Sequence, residues 1–305
     1  MFITRNHSFI QLCRLDKLTG VWLVMFPCWW GVALSQSLTQ SFMQQGKFYF
    51  QLFLFFIGAL SMRAAGCIVN DLTDRKFDRA VERTRGRPLV AGTATVKQAI
   101  FYFGLMCSVG LGVFLFLSPL AKILSLIAFV LLFIYPWMKR ITHWPQFVLG
   151  LAFNSGVLIA YANNTQTLNR TVWLVYGAGI FWTLAYDTIY AFQDIEDDLK
   201  VGVKSTAILF KKYPKLLPMI SYAGMLLIFV TLYLQKGGAD YVHSDCGFVF
   251  WRGNWNFWIG IPLFLSFVCD VLWYWNPNDH QSSLKAFKQN KVFGWVVFFI
   301  LLGCL

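Results

Sequence analysis

Two short acidic stretches stand out in this sequence, because acidic residues are scarce elsewhere in it. The chain has 305 residues and only 14 Asp and Glu, and nine of these fall within 71–82 and 187–198. They are Asp71, Asp74, Asp78, Glu82, Asp187, Asp194, Glu196, Asp197 and Asp198. Mg²⁺ prefers a few carboxylates together with phosphate oxygens. Two such clusters on one membrane face are therefore suited to hold a diphosphate through bridging metal ions.

The spacing within each stretch favours a shared helical face. Offsets of three, four and seven residues align Asp71, Asp74 and Asp78. In the second stretch, Asp194 and Asp198 align with Asp187, and Tyr190 lies between them. Like charges at these spacings repel, so basic side chains or divalent cations must compensate them. We predict Mg²⁺ ligands, which are also the catalytic acids, at Asp71, Asp74, Asp78, Asp194 and Asp198.

Basic residues follow both clusters. They are Arg83, Arg85 and Arg87 after the first, and Lys200 and Lys204 after the second. Such groups neutralise the charge of a departing diphosphate, although a cytoplasmic location alone would also explain any one of them. Arg63 is different, because it lies inside an apolar run two turns before Asn70. A cation at membrane depth needs a partner, and we expect an Asp or the diphosphate to supply it.

Membrane helices must position these clusters, because 57% of the residues are hydrophobic and only 13% are charged. A soluble domain is about 25% charged, so a soluble or disordered chain is excluded. About 20 apolar residues span the hydrocarbon core. Nine such runs occur, at 18–38, 48–69, 98–116, 118–137, 144–162, 171–193, 216–234, 257–275 and 291–305. The sequence predicts an all-α, polytopic membrane protein with about nine helices in one bundle.

The connections are too short for a soluble domain, so 1–305 is read as one domain with motif loops near 70–97 and 194–215. Twenty Lys and Arg lie on the side of the N-terminus and both clusters, and five lie on the other. The positive-inside rule then predicts a cytoplasmic N-terminus and a cytoplasm-facing active site. The net charge of +12 follows from this topology, and we expect no nucleic-acid partner.

Longer motifs resemble a known family over nearly the whole chain. They are RAAGCIVND at 63–71 with Arg87-Pro88-Leu89, MKRIT at 138–142, YDTIYA at 186–191 and DDLKVGVKST at 197–206. The set is similar to the intramembrane aromatic prenyltransferases of the UbiA type, in particular to the branch that acts on 4-hydroxybenzoate. Ile195-Glu196 replaces the family's usual Arg-Asp, so Glu196 receives no role. The connection at 235–256 matches no motif.

The resemblance implies Mg²⁺-dependent transfer of a polyprenyl group from polyprenyl diphosphate to the 3-position of 4-hydroxybenzoate, in ubiquinone biosynthesis at a bacterial inner membrane. The lipid-embedded cavity would keep water from the allyl cation, and Phe- and Trp-rich helices would supply a groove for the tail. Protein partners are not indicated. Substrate contacts are expected at Arg63, Asn70, Arg85, Arg87, Arg140, Asp187, Tyr190 and Lys204. Arg140 is a candidate to hold the acceptor's carboxylate or the diphosphate.

Two alternatives remain open. One is another acceptor on the same scaffold, as in menaquinone, homogentisate or haem O prenyltransferases. The segment around Arg140 and the run ending in Lys204-Ser205-Thr206 favour 4-hydroxybenzoate. The other is a cation-coupled transporter, in which the acids would be ion sites. Transporters usually place charges near the bilayer midplane and contain internal repeats, whereas these acids lie at one surface and the halves show no clear repeat.

Overall fold

A computed structural model describes residues 8–35, 42–237 and 255–303. Within these ranges, nine helices of 16 or more residues occupy the nine predicted positions. They are α1 Thr19–Leu34, α2 Phe42–Thr73, α3 Val96–Leu115, α4 Pro119–Ile141, α5 Pro145–Thr165, α6 Arg170–Ala191, α7 Leu216–Gly237, α8 Trp255–Tyr274 and α9 His280–Gly303. The last helix begins well before the predicted start at residue 291. Most of the 235–256 connection lies outside the described residues.

Local sequence signals explain several of the helix starts. Thr95 and Gln98 form a capping box that satisfies the first amide groups of α3. Asn169 caps α6 by accepting a hydrogen bond from the Val172 amide at 3.0 Å. Proline occupies the first turn of α4 and of α5, where its missing N–H costs no hydrogen bond.

The chain is an integral membrane protein by helix length and apolarity. Within the described ranges, five helical stretches are long and apolar enough to cross a membrane, namely Gln45–Thr73, Val96–Leu115, Pro119–Ile141, Pro145–Thr165 and Leu216–Leu234. Thr19–Leu34 and Ile259–Tyr274 are shorter apolar helices. A helix satisfies its backbone hydrogen bonds internally, as the hydrocarbon core requires. Nine complete spans and a cytoplasmic N-terminus stay predictions.

The bundle has a packed centre and two lipid-facing helices. Helix α5 packs against α1, α4 and α6, while α9 packs against α1, α6 and α8. Two buried indoles tie this centre together: Trp30 donates to the Gly294 carbonyl at 3.1 Å, and Trp182 donates to Asn290 at 2.8 Å. By contrast, only 17% of α3 and 11% of α4 are buried, against 61% of α5. The outer two helices therefore form one wall of the bundle.

Both acidic clusters straddle a helix end. Helix α2 ends at Thr73 and a separate turn follows at Arg75–Asp78, while α6 ends at Ala191 and continues as short helices at Phe192–Asp194 and Ile195–Val201. This differs from the predicted continuous helical face. The breaks fall where the sequence changes from apolar to charged. The chain leaves the apolar bundle there, because charged side chains are stable only in contact with water or with groups of opposite charge.

Candidate active site

A cavity of about 1460 Å³ lies between the two acidic clusters and extends into the bundle. Its charged end is formed by the loops after α2 and α6, and its apolar end by α2, α3 and α4. Four of the five predicted metal ligands line it: Asp74, Asp78, Asp194 and Asp198. The fifth, Asp71, is not among the lining residues and is 1% exposed. The fold thus brings together segments that lie more than a hundred residues apart in sequence.

Basic side chains neutralise the first cluster. The Arg87 Nη1 atom lies 2.6 Å from an Asp78 oxygen and 3.2 Å from an Asp71 oxygen. Arg14, from the segment before α1, contacts the same Asp71 oxygen at 2.6 Å. Burial raises the pKa of Asp78, and the Arg87 charge opposes this rise. The need for counter-charge that the spacing predicted is met here by arginines.

The end of α4 joins the two clusters. The Lys139 ammonium lies 3.3 Å from Asp74, and the Lys139 carbonyl accepts a hydrogen bond from the Lys204 amide at 2.8 Å. Lys204 also donates its Nζ proton to the Ile141 carbonyl at 3.2 Å and lines the cavity. Lys139 therefore presents its charge to the cavity from a helix end that both motif loops contact.

Arg140 points away from the cavity. Its guanidinium donates to the Thr73 carbonyl at 2.9 Å and lies over the rings of Trp137 and Phe77, at 4.5 and 5.0 Å from their centroids. The interaction supports the last turn of α2, whose carbonyls lack helical partners. Arg85 is likewise exposed and donates to the Arg79 carbonyl at 3.3 Å.

Arg83 connects the first motif loop to the second. Its Nε atom donates to Asp194 at 2.7 Å, and its Nη1 atom donates to the Tyr190 hydroxyl at 3.2 Å. Tyr190 packs on Phe287 of α9 with a centroid distance of 4.5 Å. The Glu82 amide adds a second link by donating to a carboxylate oxygen of the other loop at 3.1 Å. These contacts hold the charged end of the cavity together.

The pKa values of two carboxylates in the second cluster are shifted in opposite directions. Burial raises the pKa of Asp198 to about 6; the Lys139 charge opposes this rise and Asp194 adds to it. The pKa of Asp197 is lowered, mainly by the hydrogen bond from the Glu82 amide. Asp198 is thus a carboxylate that gains from a further positive charge, whereas Asp197 already has its partners.

The donor set fits a divalent cation held together with a diphosphate. Among the described residues, no three acidic, histidine or cysteine side chains converge closely enough to hold an ion by themselves. However, one side-chain oxygen of Asn70 and one of Asp71 are buried and find no hydrogen-bond partner in the described part of the chain. Hard oxygen donors of this kind suit Mg²⁺, whose usual sites combine few carboxylates with phosphate oxygens.

Most of the predicted substrate-binding residues line the cavity. Arg63, Asn70, Arg87, Asp187, Tyr190 and Lys204 line it, whereas Arg85 and Arg140 do not. Sequence reasoning overlooked Arg14 and Lys139 and gave Arg83 no individual role, although all three line the cavity. Lys139 and Arg140 are adjacent basic residues at the end of α4. Their side chains leave the helix about 100° apart, and this difference alone directs Lys139 to the cavity and Arg140 to the surface.

Arg63 lies deeper than the other cations. Its guanidinium lies beside Gly20, where a Cβ would approach it to 3.0 Å or less. It contacts the Cys67 sulfur and lies 5.8 Å from the Phe153 ring centroid. Among the described residues, no carboxylate lies within 4 Å of it. A positive charge held in this way is available to an anionic group of a ligand.

The apolar end of the cavity opens sideways between α3 and α4. Leu111 and Leu126 line the cavity at this end, and each is 56% exposed. The two helices meet on either side of this gap, through the Phe103–Phe133 ring pair at 6.0 Å and through Lys122 over the Phe114 ring at 5.7 Å. The cavity therefore leads from a charged end to the outer, lipid-facing surface of the bundle.

Comparison with known proteins agrees with this geometry. Residues 24–302 match the UbiA prenyltransferase family. The chain is 34% identical over 299 residues to a 4-hydroxybenzoate octaprenyltransferase of Coxiella burnetii (strain CbuK_Q154), covering 97% of this chain and 95% of the relative. It is 37% identical over 294 residues to a 4-hydroxybenzoate octaprenyltransferase of Serratia proteamaculans (strain 568), covering 96% and 93%.

Two solved structures share the fold. One is the apo structure of a UbiA homologue from Aeropyrum pernix K1, with a TM-score of 0.70 at 20% identity over 91% of this chain and 94% of that one. The other is a UbiA homologue from Archaeoglobus fulgidus bound to GPP and Mg²⁺, with a TM-score of 0.67 at 16% identity over 97% and 99%.

Proposed function

This chain belongs to the UbiA prenyltransferase family, and on that premise we propose that it transfers a polyprenyl group from polyprenyl diphosphate to the 3-position of 4-hydroxybenzoate. The reaction is Mg²⁺-dependent and serves ubiquinone biosynthesis. One observation carries the proposal: a single cavity joins a charged end, lined by both acidic clusters and several cations, to an apolar end that opens toward lipid. Relatives of that name match nearly the whole chain. The charged end faces the cytoplasm at the bacterial inner membrane.

The charged end binds the donor's diphosphate. Arg83, Arg87, Lys139 and Lys204 line it and supply fixed positive charge where the leaving group gains negative charge. Mg²⁺, held by Asp74, Asp78, Asp194 and Asp198 together with Asp71 and Asn70, stabilises the charge that develops on the departing oxygens. Ionisation of the C–O bond leaves both electrons on the diphosphate and an allyl cation on the tail. The surrounding bundle keeps water from that cation.

The acceptor lies between the diphosphate and the bundle core. Asp187 and Tyr190 line the cavity from α6 and orient the acceptor's hydroxyl group. The ring carbon ortho to this hydroxyl attacks the allyl cation, and loss of the ring proton restores aromaticity. The carboxylate at the opposite end of the ring binds Arg63, because that guanidinium has no carboxylate within 4 Å among the described residues and lies in the cavity wall beside Gly20 and Phe153.

The polyprenyl tail lies in the apolar groove and leaves between α3 and α4. Along α2, Asn70 and Phe55 both line the cavity and are separated by about 22 Å at the usual helical rise. A short tail fits within this length, and a longer one continues past Leu111 and Leu126 into the membrane. The side opening explains how a cavity of finite depth accommodates a long isoprenoid.

A bulky residue at Gly110 should obstruct long donors. A Cβ at this position already approaches the Met62 sulfur to 2.7 Å, so Gly110→Phe fills the groove. We expect kcat/KM for a long polyprenyl diphosphate to fall about tenfold or more, which corresponds to a loss of about 1.4 kcal/mol in binding of the tail. Geranyl diphosphate, whose tail is short, should be affected less. Product formation with both donors checks this.

Gly112→Phe is the matched control, because Gly112 lies on the same helix with open space around its Cβ position. It should leave kcat/KM for both donors within about twofold of the value for the unmodified protein, as is usual for a substitution on the outer surface. Equal losses for long and short donors in Gly110→Phe would show that the groove at α3 does not hold the tail.

The proposed function is tested with the full chain in lipid nanodiscs. We expect 4-hydroxybenzoate and a polyprenyl diphosphate to give the 3-polyprenyl product only when Mg²⁺ or a similar cation is present, and EDTA to abolish the reaction reversibly. The acceptor panel includes homogentisate and a naphthoate acceptor of the menaquinone type. A clear preference for either of these would assign the chain to another branch of the family.

A further inference from the structure

The segment before α1 is packed into the site. Leu12 and Cys13 are 0% and 1% exposed and form a cluster with Ile68 of α2 and Leu89 of the first motif loop. The Ser8 hydroxyl donates to the Thr93 carbonyl at 3.1 Å, which adds a polar anchor. These contacts fix the segment against both the last turns of α2 and the loop that follows it.

The backbone of this segment reverses at Arg14. Arg14 has φ 53°, in the left-handed region that side chains other than glycine rarely adopt. The Leu15 amide donates to the Ile10 carbonyl at 2.9 Å, and the Lys17 amide donates to the Arg14 carbonyl at 3.1 Å, so hydrogen bonds on both sides hold the turn. The turn ends the short helix before α1 and places the Arg14 side chain where it contacts Asp71 of α2.

The side chain of Arg14 reaches a carboxylate that has almost no access to water. Asp71 is 1% exposed, and one of its oxygens contacts both Arg14 at 2.6 Å and Arg87 at 3.2 Å. Its other oxygen is buried and has no hydrogen-bond partner in the described part of the chain. A buried carboxylate needs a partner, and Arg14 pairs with one Asp71 oxygen and leaves the other free.

Arg14 also affects how Arg87 is shared between Asp71 and Asp78. Arg87 is shared between Asp71 and Asp78, and its contact with Asp78 is the shorter, at 2.6 Å. While Arg14 neutralises Asp71, Arg87 remains in contact with the cavity-lining Asp78. Without Arg14, Asp71 would be left with Arg87 as its only charged partner among the described residues, and the charge balance of the first cluster would change.

We propose that Arg14 is a positioning residue for the metal site: it fixes the orientation of Asp71 so that the free oxygen, with the neighbouring carboxylates, serves the Mg²⁺–diphosphate of the donor. This inference rests on the proposed function. The segment before α1 thus belongs to the active site, although it precedes both acidic motifs by more than fifty residues. Arg14 acts through Asp71 and needs no contact with the substrate.

The test measures binding without turnover. The full chain in nanodiscs receives geranyl S-thiolodiphosphate, a donor analogue that does not ionise readily, and its thermal stability is followed as Mg²⁺ is added. A ligand that binds the folded state raises Tm in proportion to its affinity. For Arg14→Gln we expect the Mg²⁺ concentration at half-maximal stabilisation to rise about tenfold, as for loss of a residue that orients a metal ligand. Arg14→Lys, which retains the charge, should recover part of the effect.

Three further measurements distinguish an effect on the metal site from an effect on substrate binding or on surface charge. The analogue concentration for half-maximal effect at saturating Mg²⁺, and the KM for 4-hydroxybenzoate, should stay within about twofold. Lys76→Gln removes one exposed positive charge from the neighbouring loop, and it should leave the Mg²⁺ requirement unchanged. If Arg14→Gln does not fold, Arg14→Lys is compared with the unmodified protein instead. We then expect a smaller rise in the Mg²⁺ concentration at half-maximal stabilisation.

An unchanged Mg²⁺ requirement in Arg14→Gln overturns the inference. So does a raised analogue requirement at saturating Mg²⁺, which would instead make Arg14 a direct diphosphate ligand. These outcomes leave the proposed function intact, since the unmodified protein still prenylates 4-hydroxybenzoate. If the unmodified protein itself shows no Mg²⁺-dependent stabilisation by the donor analogue, the proposed function fails, and that failure is recognisable without any variant.

Discussion

Asp194→Asn should lower kcat for 4-hydroxybenzoate prenylation by about 10²–10³-fold, the usual loss when a group that stabilises transition-state charge is removed. Asp194 lines the cavity, and its side chain is 15% exposed. The amide retains the shape of the side chain but loses the negative charge needed to hold a cation. It also releases Arg83, whose guanidinium donates to both carboxylate oxygens and connects the two motif loops. Steady-state turnover at saturating Mg²⁺ and substrates measures this loss.

Glu196→Gln is the matched control for this variant. Glu196 carries the same charge two residues further along the same segment, but it is exposed and does not line the cavity. Its replacement should change kcat by less than about twofold, as is usual for surface substitutions. Both variants should insert and unfold like the unmodified protein, since partly exposed ion pairs contribute little stability. Turnover of Asp194→Asn close to that of Glu196→Gln would refute the two-cluster metal site.

Arg63→Gln should raise the KM for 4-hydroxybenzoate by about 10–100-fold. A hydrogen bond to a charged group contributes about 1.5–3 kcal/mol, and each 1.4 kcal/mol corresponds to about a factor of ten. Because the lost contact is to the acceptor's carboxylate, the neutral methyl ester of 4-hydroxybenzoate should react equally well with both proteins. Initial rates over a range of acid and ester concentrations give the two KM values.

The Arg140→Gln variant tests whether Arg63 or Arg140 binds the acceptor's carboxylate. The MKRIT segment makes Arg140 the candidate for the carboxylate, but the structure directs its guanidinium to the Thr73 carbonyl and the rings of Trp137 and Phe77. Its replacement should leave the KM for the acid within about threefold, because the change lies off the cavity. A large rise in KM for Arg140→Gln, with none for Arg63→Gln, would place the carboxylate site at the end of α4 instead.

The helical membrane architecture could be predicted from the sequence because hydropathy is summed over windows of about 20 residues. Such sums tolerate errors of several residues at the ends. Each of the nine apolar runs therefore coincides with a helix in the described part of the chain, although the boundaries differ. The positions of the acidic residues were equally informative. Scarce charges in an apolar chain have few reasons to cluster, and four of the five predicted metal ligands line one cavity.

The partners of those acidic residues could not be predicted, because they come from distant parts of the chain. Arg14 reaches Asp71 across 57 positions, and Arg83 reaches Asp194 across 111. Spacing rules relate residues within one helix, and they contain no information about which loops meet at a bundle end.

The sequence alone thus determined the membrane fold, the two acidic clusters and the family's chemistry, since these depend on composition and local spacing. The tertiary structure decided which cation contacts which carboxylate, that Arg63 and Lys139 line the cavity while Arg140 does not, and that the cavity extends to α3 and α4. The physical reason is that a rotation of about 100° per residue and the packing of distant segments direct each side chain, and neither is encoded in a local pattern.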